Sequence, residues 1–459
     1  MVVAPTAEGL TTRLGRTIVE ATVVPRLHAD VIAQAWADTV AVAVAAVHER
    51  GLQDFRRTVL GAESGAPWIG ADAARPDDAA LLNGAAAHYL DYDDISPTMP
   101  LHPSAVLVPA IMAAAVRDGE LRFDRFADAY NIGAATLRFV TDSLRGGHYA
   151  RGWHSTATAG RLAGVAAIAR YRRVAPEIAT NALALASSLA SGSRANFGTT
   201  TKPIHAGLAA RDALHAIDWS VGGVTASRTE LEARSGFFAR FGDAGSRDVA
   251  ESAAAVAEEI DGWLERWPKD WGIKLYPSCY ATHRAIEAAL ELRDRVPAHE
   301  VSDIEVRVYR GGTAPLILRA PETGTEAKFS LGYCVALAWL HGGVGLLDFT
   351  PSGFAARPEV LEFAERVVAF EDPEETADFA ELTVVSRTGA APASSTVTTM
   401  RSTPTADEVR AKIQDCCDFA AVEPAGASRL LAAAEGLEPD ADLFGIIDGL
   451  RAREGAANG

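Results

Sequence analysis

The residues that could do chemistry gather in five short stretches. Residues 272–289 read GIKLYPSCYATHRAIEAA, bringing a lysine (Lys274), a turn through Tyr276-Pro277-Ser278, a cysteine (Cys279) and a histidine (His283) together. Pro277 bars a helix from running through it, and the residue before a proline prefers an extended state. Ser278 is placed to cap the helix that follows, accepting from the N–H of Tyr280 or Ala281. A cation, a helix start and an imidazole in one segment suit the binding and protonation of an anion.

Four other stretches carry similar groups. Residues 83–109, NGAAAHYLDYDDISPTMPLHPSAVLVP, end a helix in three carboxylates (Asp91, Asp93, Asp94) before His102-Pro103-Ser104 starts the next. Carboxylates at a helix C-terminus oppose its dipole, so the cluster calls for a partner: a cation, a histidine or a substrate hydroxyl. Its spacing matches neither an EF-hand nor a two-histidine metal set. Residues 146–164, GGHYARGWHSTATAGRLAG, put His154 just before a helix marked by Ser155 and Thr156. The N–H groups of that start favour an anion and lower the pKa of a neighbouring histidine. Residues 198–210, GTTTKPIHAGLAA, hold Lys202 before Pro203, which predicts an extended backbone, with His205 opening the next helix. Residues 326–334, EAKFSLGYC, offer Tyr333, either as a hydroxyl aimed at a site or as core.

Elements of two kinds must position these groups. Residues 1–260 read as helix after helix, with stretches at 27–50, 78–90, 104–116, 123–140, 155–171, 176–191 and 205–219. In the first, Ile32, Trp36, Val40, Val44 and Val47 form one stripe; VAVAVAAV alone fits a strand, but the segment's length favours a helix. After Trp271 the pattern changes. Residues 302–309, SDIEVRVY, alternate as a half-buried strand, and 381–386 and 394–400 read as two more. Helices at 329–341 and 358–370 complete an α+β section with a small antiparallel sheet. Helical patterning returns at 405–417, where Thr405 and Glu408 form a capping box, and continues at 425–435 and 443–453. The predicted fold is mainly α. A large helical domain from both chain ends (1–265 with 403–459) holds an inserted α+β lid (266–402).

Bulk properties narrow the function. The chain has 459 residues, 48% hydrophobic and 22% charged, as in a soluble globular protein. A net charge of −17 argues against nucleic acid as a partner, while leaving room for a local cationic pocket. The apolar runs are too short to span a bilayer, and the N-terminus lacks an apolar core of signal-peptide length. Cys279, Cys334, Cys416 and Cys417 form no CxxC pair and have no zinc spacing, so they read as reduced thiols in a cytoplasmic protein. The polar tail AREGAANG reads as frayed.

Taken together, NGAAAHYLDYDD…HPSA, GWHSTATAG, TKPIHAGLAAR, KLYPSCYATH and KFSLGY resemble the MmgE/PrpD family, in the family's order and across most of the chain. That family includes 2-methylcitrate dehydratase, cis-aconitate decarboxylase and iminodisuccinate epimerase. The resemblance implies a helical domain with an α+β lid, a homodimer, no metal or other cofactor, and a site in the cleft between the domains. It implies catalytic roles for His154, Lys202, Lys274, His283, Asp93 and His102. It also implies substrate contacts from Asp94, Thr98 and Tyr333, with the choice between Asp93 and Asp94 open. Cys279 is expected to be packing.

Lysines bind carboxylates as point charges, and a histidine gives or takes a proton near neutral pH. The function implied is therefore proton transfer next to a carboxylate on a small di- or tricarboxylate, by a lyase that dehydrates or decarboxylates a citrate- or aconitate-like acid. An epimerase of an imino- or aminodicarboxylate needs the same residue types, and a non-catalytic family member is the alternative of another class.

Overall fold

The structure, a computed structural model, describes residues 8–61, 75–144, 147–242, 249–398 and 404–450. The extreme N-terminus, the polar tail, and the last residues of the strand expected at 394–400 and of the helix expected at 443–453 lie outside them.

The fold is mainly α. The helix Ala29–Ala45 runs through the middle of the first core, and Val40, Val42 and Val44 are all fully buried. A helix apolar on every side belongs inside a protein or a membrane. With its short 3-10 extension to His48 it is long and apolar enough to cross a bilayer, but here most of it is covered by other helices. It packs on Pro76–Tyr89, Ser104–Ala115 and Phe123–Leu144, these in turn meet Ser155–Arg172 and Thr201–Val221, and Pro176–Leu189 packs on that last pair. Small residues let them approach closely. A Cβ on Gly207 of Thr201–Val221 would stand 2.0 Å from the Leu81 carbonyl oxygen of Pro76–Tyr89.

The chain end returns to this core. Ala406–Phe419, opened by the Thr405–Glu408 capping box, packs on Ala29–Ala45. Buried Lys412 reaches Asp38 Oδ1 at 2.7 Å and donates to the Tyr92 carbonyl at 2.6 Å.

A second, separate core forms between residues 285 and 384. Its sheet has four strands, β1 (Val301–Tyr309), β2 (Val367–Asp372), β3 (Ala380–Ser386) and β4 (Ala393–Val397), in the order β2-β1-β3-β4. Ile304, Val306 and Val308 of β1 join Leu382 and Val384 of β3 in this core. The helices Tyr280–Arg293 and Leu331–His341 cover that face. Two sequence expectations need correction here. The helix expected at 358–370 stops at Ala364, and β2 follows it. The sheet is mixed, because β2 runs parallel to β1, pairing Val367 with Ile304 and Ala369 with Val306. Strand pairing over a shared core decides the state of VVAFED, which local pattern leaves ambiguous.

Candidate active site

The site is built on the end of the helix Pro76–Tyr89. Its C-cap, Leu90, has its carbonyl taken by the Lys328 ammonium at 2.7 Å. Asp91 then adopts a left-handed φ of 53°, a conformation that Asp tolerates better than most residues. Two hydrogen bonds, Ile95 N–H to the Gly272 carbonyl (2.8 Å) and Gly272 N–H to the Ile95 carbonyl (2.9 Å), fasten the acidic loop to the strand-like segment that delivers Lys274.

Two ammonium groups meet at Asp91. Lys202 donates to its Oδ1, and Lys274 Nζ lies 3.0 Å from the same oxygen. Lys274 also donates to the carbonyls of Asp91 (2.8 Å) and Ser278 (3.1 Å), so each of its three protons has an oxygen partner. For Lys202, Asp91 is the hydrogen-bond acceptor among the described residues, and its ammonium also sits 5.2 and 5.1 Å from the ring centres of Phe197 and Phe329. Lys202 is thus the cation with donors to spare. Its backbone is helical rather than extended, because Thr201–Val221 starts before it. Pro203 fits there because the first turn of a helix has N–H groups with no intrahelical partner. Burial pushes the Asp91 carboxyl up, but Lys202 and Lys274 outweigh it and hold the group below the usual carboxylate range.

Behind this pair is a cluster of buried imidazoles. His88 Nδ1 lies 2.8 Å and His102 Nδ1 3.1 Å from Asp93 Oδ2. An ionised carboxylate only accepts, so His88 Nδ1, which is hydrogen-bonded to it, carries hydrogen, while His102 Nδ1 approaches the same oxygen without a hydrogen bond. That leaves His102 Nε2 on the Asp91 side, 3.7 Å from Oδ1. Burial, against the pull of Asp93, lowers the pKa of His102 to about 3. His154 is the N-cap residue of Ser155–Arg172, and its Nδ1 faces His205 Nδ1 at 3.2 Å. Its pKa falls well below the usual value, first through burial and then through His88 and Lys202, rather than through the helix start alone.

These groups border a cavity of about 400 Å³. Asp91, His102, His154, Lys202, Lys274 and, at an exposed position, Thr98 all line it. Four of the residues singled out in the sequence do not. Asp93 contacts His102 from outside the cavity. Asp94 is occupied by Ser104 and Trp271, and burial raises its pKa to about 7. Tyr333 donates its hydroxyl to the Asp348 carbonyl at 3.2 Å and packs in the second core. His283 lies inside the helix Tyr280–Arg293 with Nε2 3.2 Å from the Ser278 carbonyl, and burial lowers its pKa to about 3. Its imidazole shares the Ser278 carbonyl with Lys274 instead of facing the cavity. Ser278 caps nothing: its hydroxyl pairs with that of Thr282 at 2.9 Å, and Cys279 is the N-cap residue.

His88, Asp91, Asp93 and His102 have ligand-type atoms within 4.8 Å of one another. Two ammonium groups already neutralise Asp91, which works against a divalent cation there.

Comparison with known proteins fits this arrangement. The pattern of the MmgE/PrpD N-terminal domain matches residues 18–249, and that of the MmgE/PrpD C-terminal domain matches residues 276–434. The chain belongs to the MmgE/PrpD family. Its relatives include cis-aconitate decarboxylase of Mus musculus, 26% identical over 66% of this chain and 62% of that protein. The Homo sapiens cis-aconitate decarboxylase is 26% identical over 69% of this chain and 66% of its own length. That of Aspergillus terreus is 24% identical over 65% and 64%. The matched region therefore spans slightly less than two thirds of each of these relatives.

In this MmgE/PrpD chain the sequence reading passed over several residues of the cavity wall. Asp91 takes the place expected for Asp93 or Asp94. Cys279 stands there where His283 was expected, and Arg194, Arg284 and Arg310 add three cations. Arg284 follows His283 directly, so its position on a helix leaving the site was the available signal.

Proposed function

We propose that this chain is a lyase of the MmgE/PrpD type that moves a proton next to a carboxylate on a small di- or tricarboxylate. Decarboxylation of a cis-aconitate-like acid is the first reading, because the relatives above carry that name. The observation behind the proposal is the meeting of Lys202, Lys274, Asp91 and His102 in one cavity. Five cationic side chains line that cavity against the carboxylates of Asp91 and Asp378. Such a local excess attracts a polyanion even in a chain of net charge −17.

The steps follow from the groups present. Lys202 and the arginines hold carboxylates. Departure of carbon dioxide leaves an electron pair on a carbon conjugated with a remaining carboxylate, and the ammonium groups stabilise the charge that develops. A nearby acid then protonates that carbon. His102, held neutral by burial, turns Nε2 toward Asp91 as a base or hydrogen-bond acceptor.

Calorimetric titration with tricarballylate, a tricarboxylate with no double bond or hydroxyl to react, tests the binding half. The expected result is saturable binding that Lys202→Met weakens at least tenfold. Equal affinity in the two proteins would remove Lys202 from the substrate site.

A further inference from the structure

The four cysteines are not equivalent. Cys334, Cys416 and Cys417 lie in the two hydrophobic cores. Cys279, 8% exposed, lines the cavity instead. Its backbone is fixed. The N–H donates to the Lys328 carbonyl at 2.9 Å, and its carbonyl accepts from the Thr282 N–H (2.9 Å) and hydroxyl (2.8 Å). The thiol is what this residue can offer a ligand. The charges of Lys274, Lys202 and Asp91 all act on it.

Two independent observations indicate that this wall meets a ligand. Asp91, 3% exposed, keeps Oδ2 without a hydrogen-bond partner. Arg284, 7% exposed and on the helix that Cys279 caps, keeps Nε without one. Both side chains line the same cavity.

We propose that Cys279 is the acid that delivers the proton to the substrate carbon. This rests on the proton-transfer reading above and assigns its missing donor. Once carbon dioxide has left, the electron pair on carbon takes the thiol hydrogen: the S–H bond breaks, the C–H bond forms, and sulfur keeps its electron pair as thiolate. The Lys274 and Lys202 charges stabilise that thiolate until water entering the cavity returns a proton. Burial and the Asp91 carboxylate push the thiol pKa up, so the resting group carries its proton. The histidines held neutral around it have no imidazolium proton to give.

The test combines thiol mapping with turnover on the full chain. Iodoacetamide labelling, read by mass spectrometry, is expected to modify Cys279 ahead of the other three cysteines, with tricarballylate slowing that reaction at least fivefold. Cys279→Ala and Cys279→Ser, checked for native circular dichroism, are expected to lose at least 100-fold in kcat on cis-aconitate with KM within threefold. Either variant turning over within threefold of the parent protein overturns the proposal and leaves the lyase reading standing. A parent protein inert to cis-aconitate, with labelling of Cys279 unaffected by tricarballylate, overturns both.

Discussion

Asp93 decides what His102 can do. Its carboxylate stands 3.1 Å from His102 Nδ1 while lying outside the cavity, so its removal acts through the charge and placement of that imidazole. Asp93→Asn is expected to lower kcat about 10- to 100-fold while KM moves less than threefold; a pure KM effect in steady-state kinetics would contradict this positioning role. His283→Ala is expected to lower Tm and to leave turnover per folded molecule within threefold, because its imidazole contacts the Ser278 carbonyl rather than the cavity. The stretches holding Lys202, Lys274, His102 and His154 were legible because cations and imidazoles beside helix starts form a local pattern. The choice of Asp91 over Asp93 and Asp94 was not. At a helix end one residue at left-handed φ redirects those that follow, and no spacing rule records that turn. Cys279 and His283 sit four apart, on one side of a helix, so the sequence could not say which one met the cavity.

At the scale of elements, the site depends on how closely two helices pack. Thr201–Val221 brings Lys202, and Pro76–Tyr89 leads into Asp91; Gly207 and Gly84 meet between them. A Cβ at 207 would run into the backbone of Leu81 and Ala85, which cannot move aside as a side-chain end can. Gly207→Ala is expected to cost about 1–3 kcal/mol of stability and to separate Lys202 from Asp91. Chemical denaturation together with turnover checks this, and unchanged values in both would show that the helices have room to spare. The helices were readable from apolar stripes. β2 was not, since its partners in Val301–Tyr309 lie 63 residues earlier in the chain.

For the whole molecule, the returning C-terminal segment is held through a buried ion pair. Lys412→Met leaves Asp38 buried without its cation, and unfolding experiments are expected to show a loss of about 3–5 kcal/mol; a change under 1 kcal/mol would make the pair incidental. The buried imidazoles set the pH response. His102 and His283 are lowered to about 3 and His154 well below its usual value, all chiefly by burial, so each stays neutral in the folded protein. An unfolded histidine titrates near ~6.5. The stability these groups contribute is complete above that pH and is lost as pH falls toward their folded values, at about 1.4 kcal/mol per pH unit for each. Asp94, raised to about 7, and Asp38, raised to about 6, act in the opposite sense above the usual carboxylate range. Glu49, Asp78 and Asp415 are raised too, but these five carboxylates are outnumbered by six histidines, because His88, His148 and His205 are lowered as well. Tm is therefore expected to fall steadily between pH 7 and pH 5, and a level Tm across that range would contradict it.

The central claim is that the Lys202–Lys274–Asp91 cavity moves a proton on a polycarboxylate. Its most direct test is an NMR time course of the protein with cis-aconitate in heavy water, with Lys274→Ala as the control. The account predicts loss of one carboxylate and a single deuterium on the carbon that takes up the proton, both absent from the variant. Cis-aconitate that keeps its carboxylates and gains no deuterium with the parent protein would contradict it.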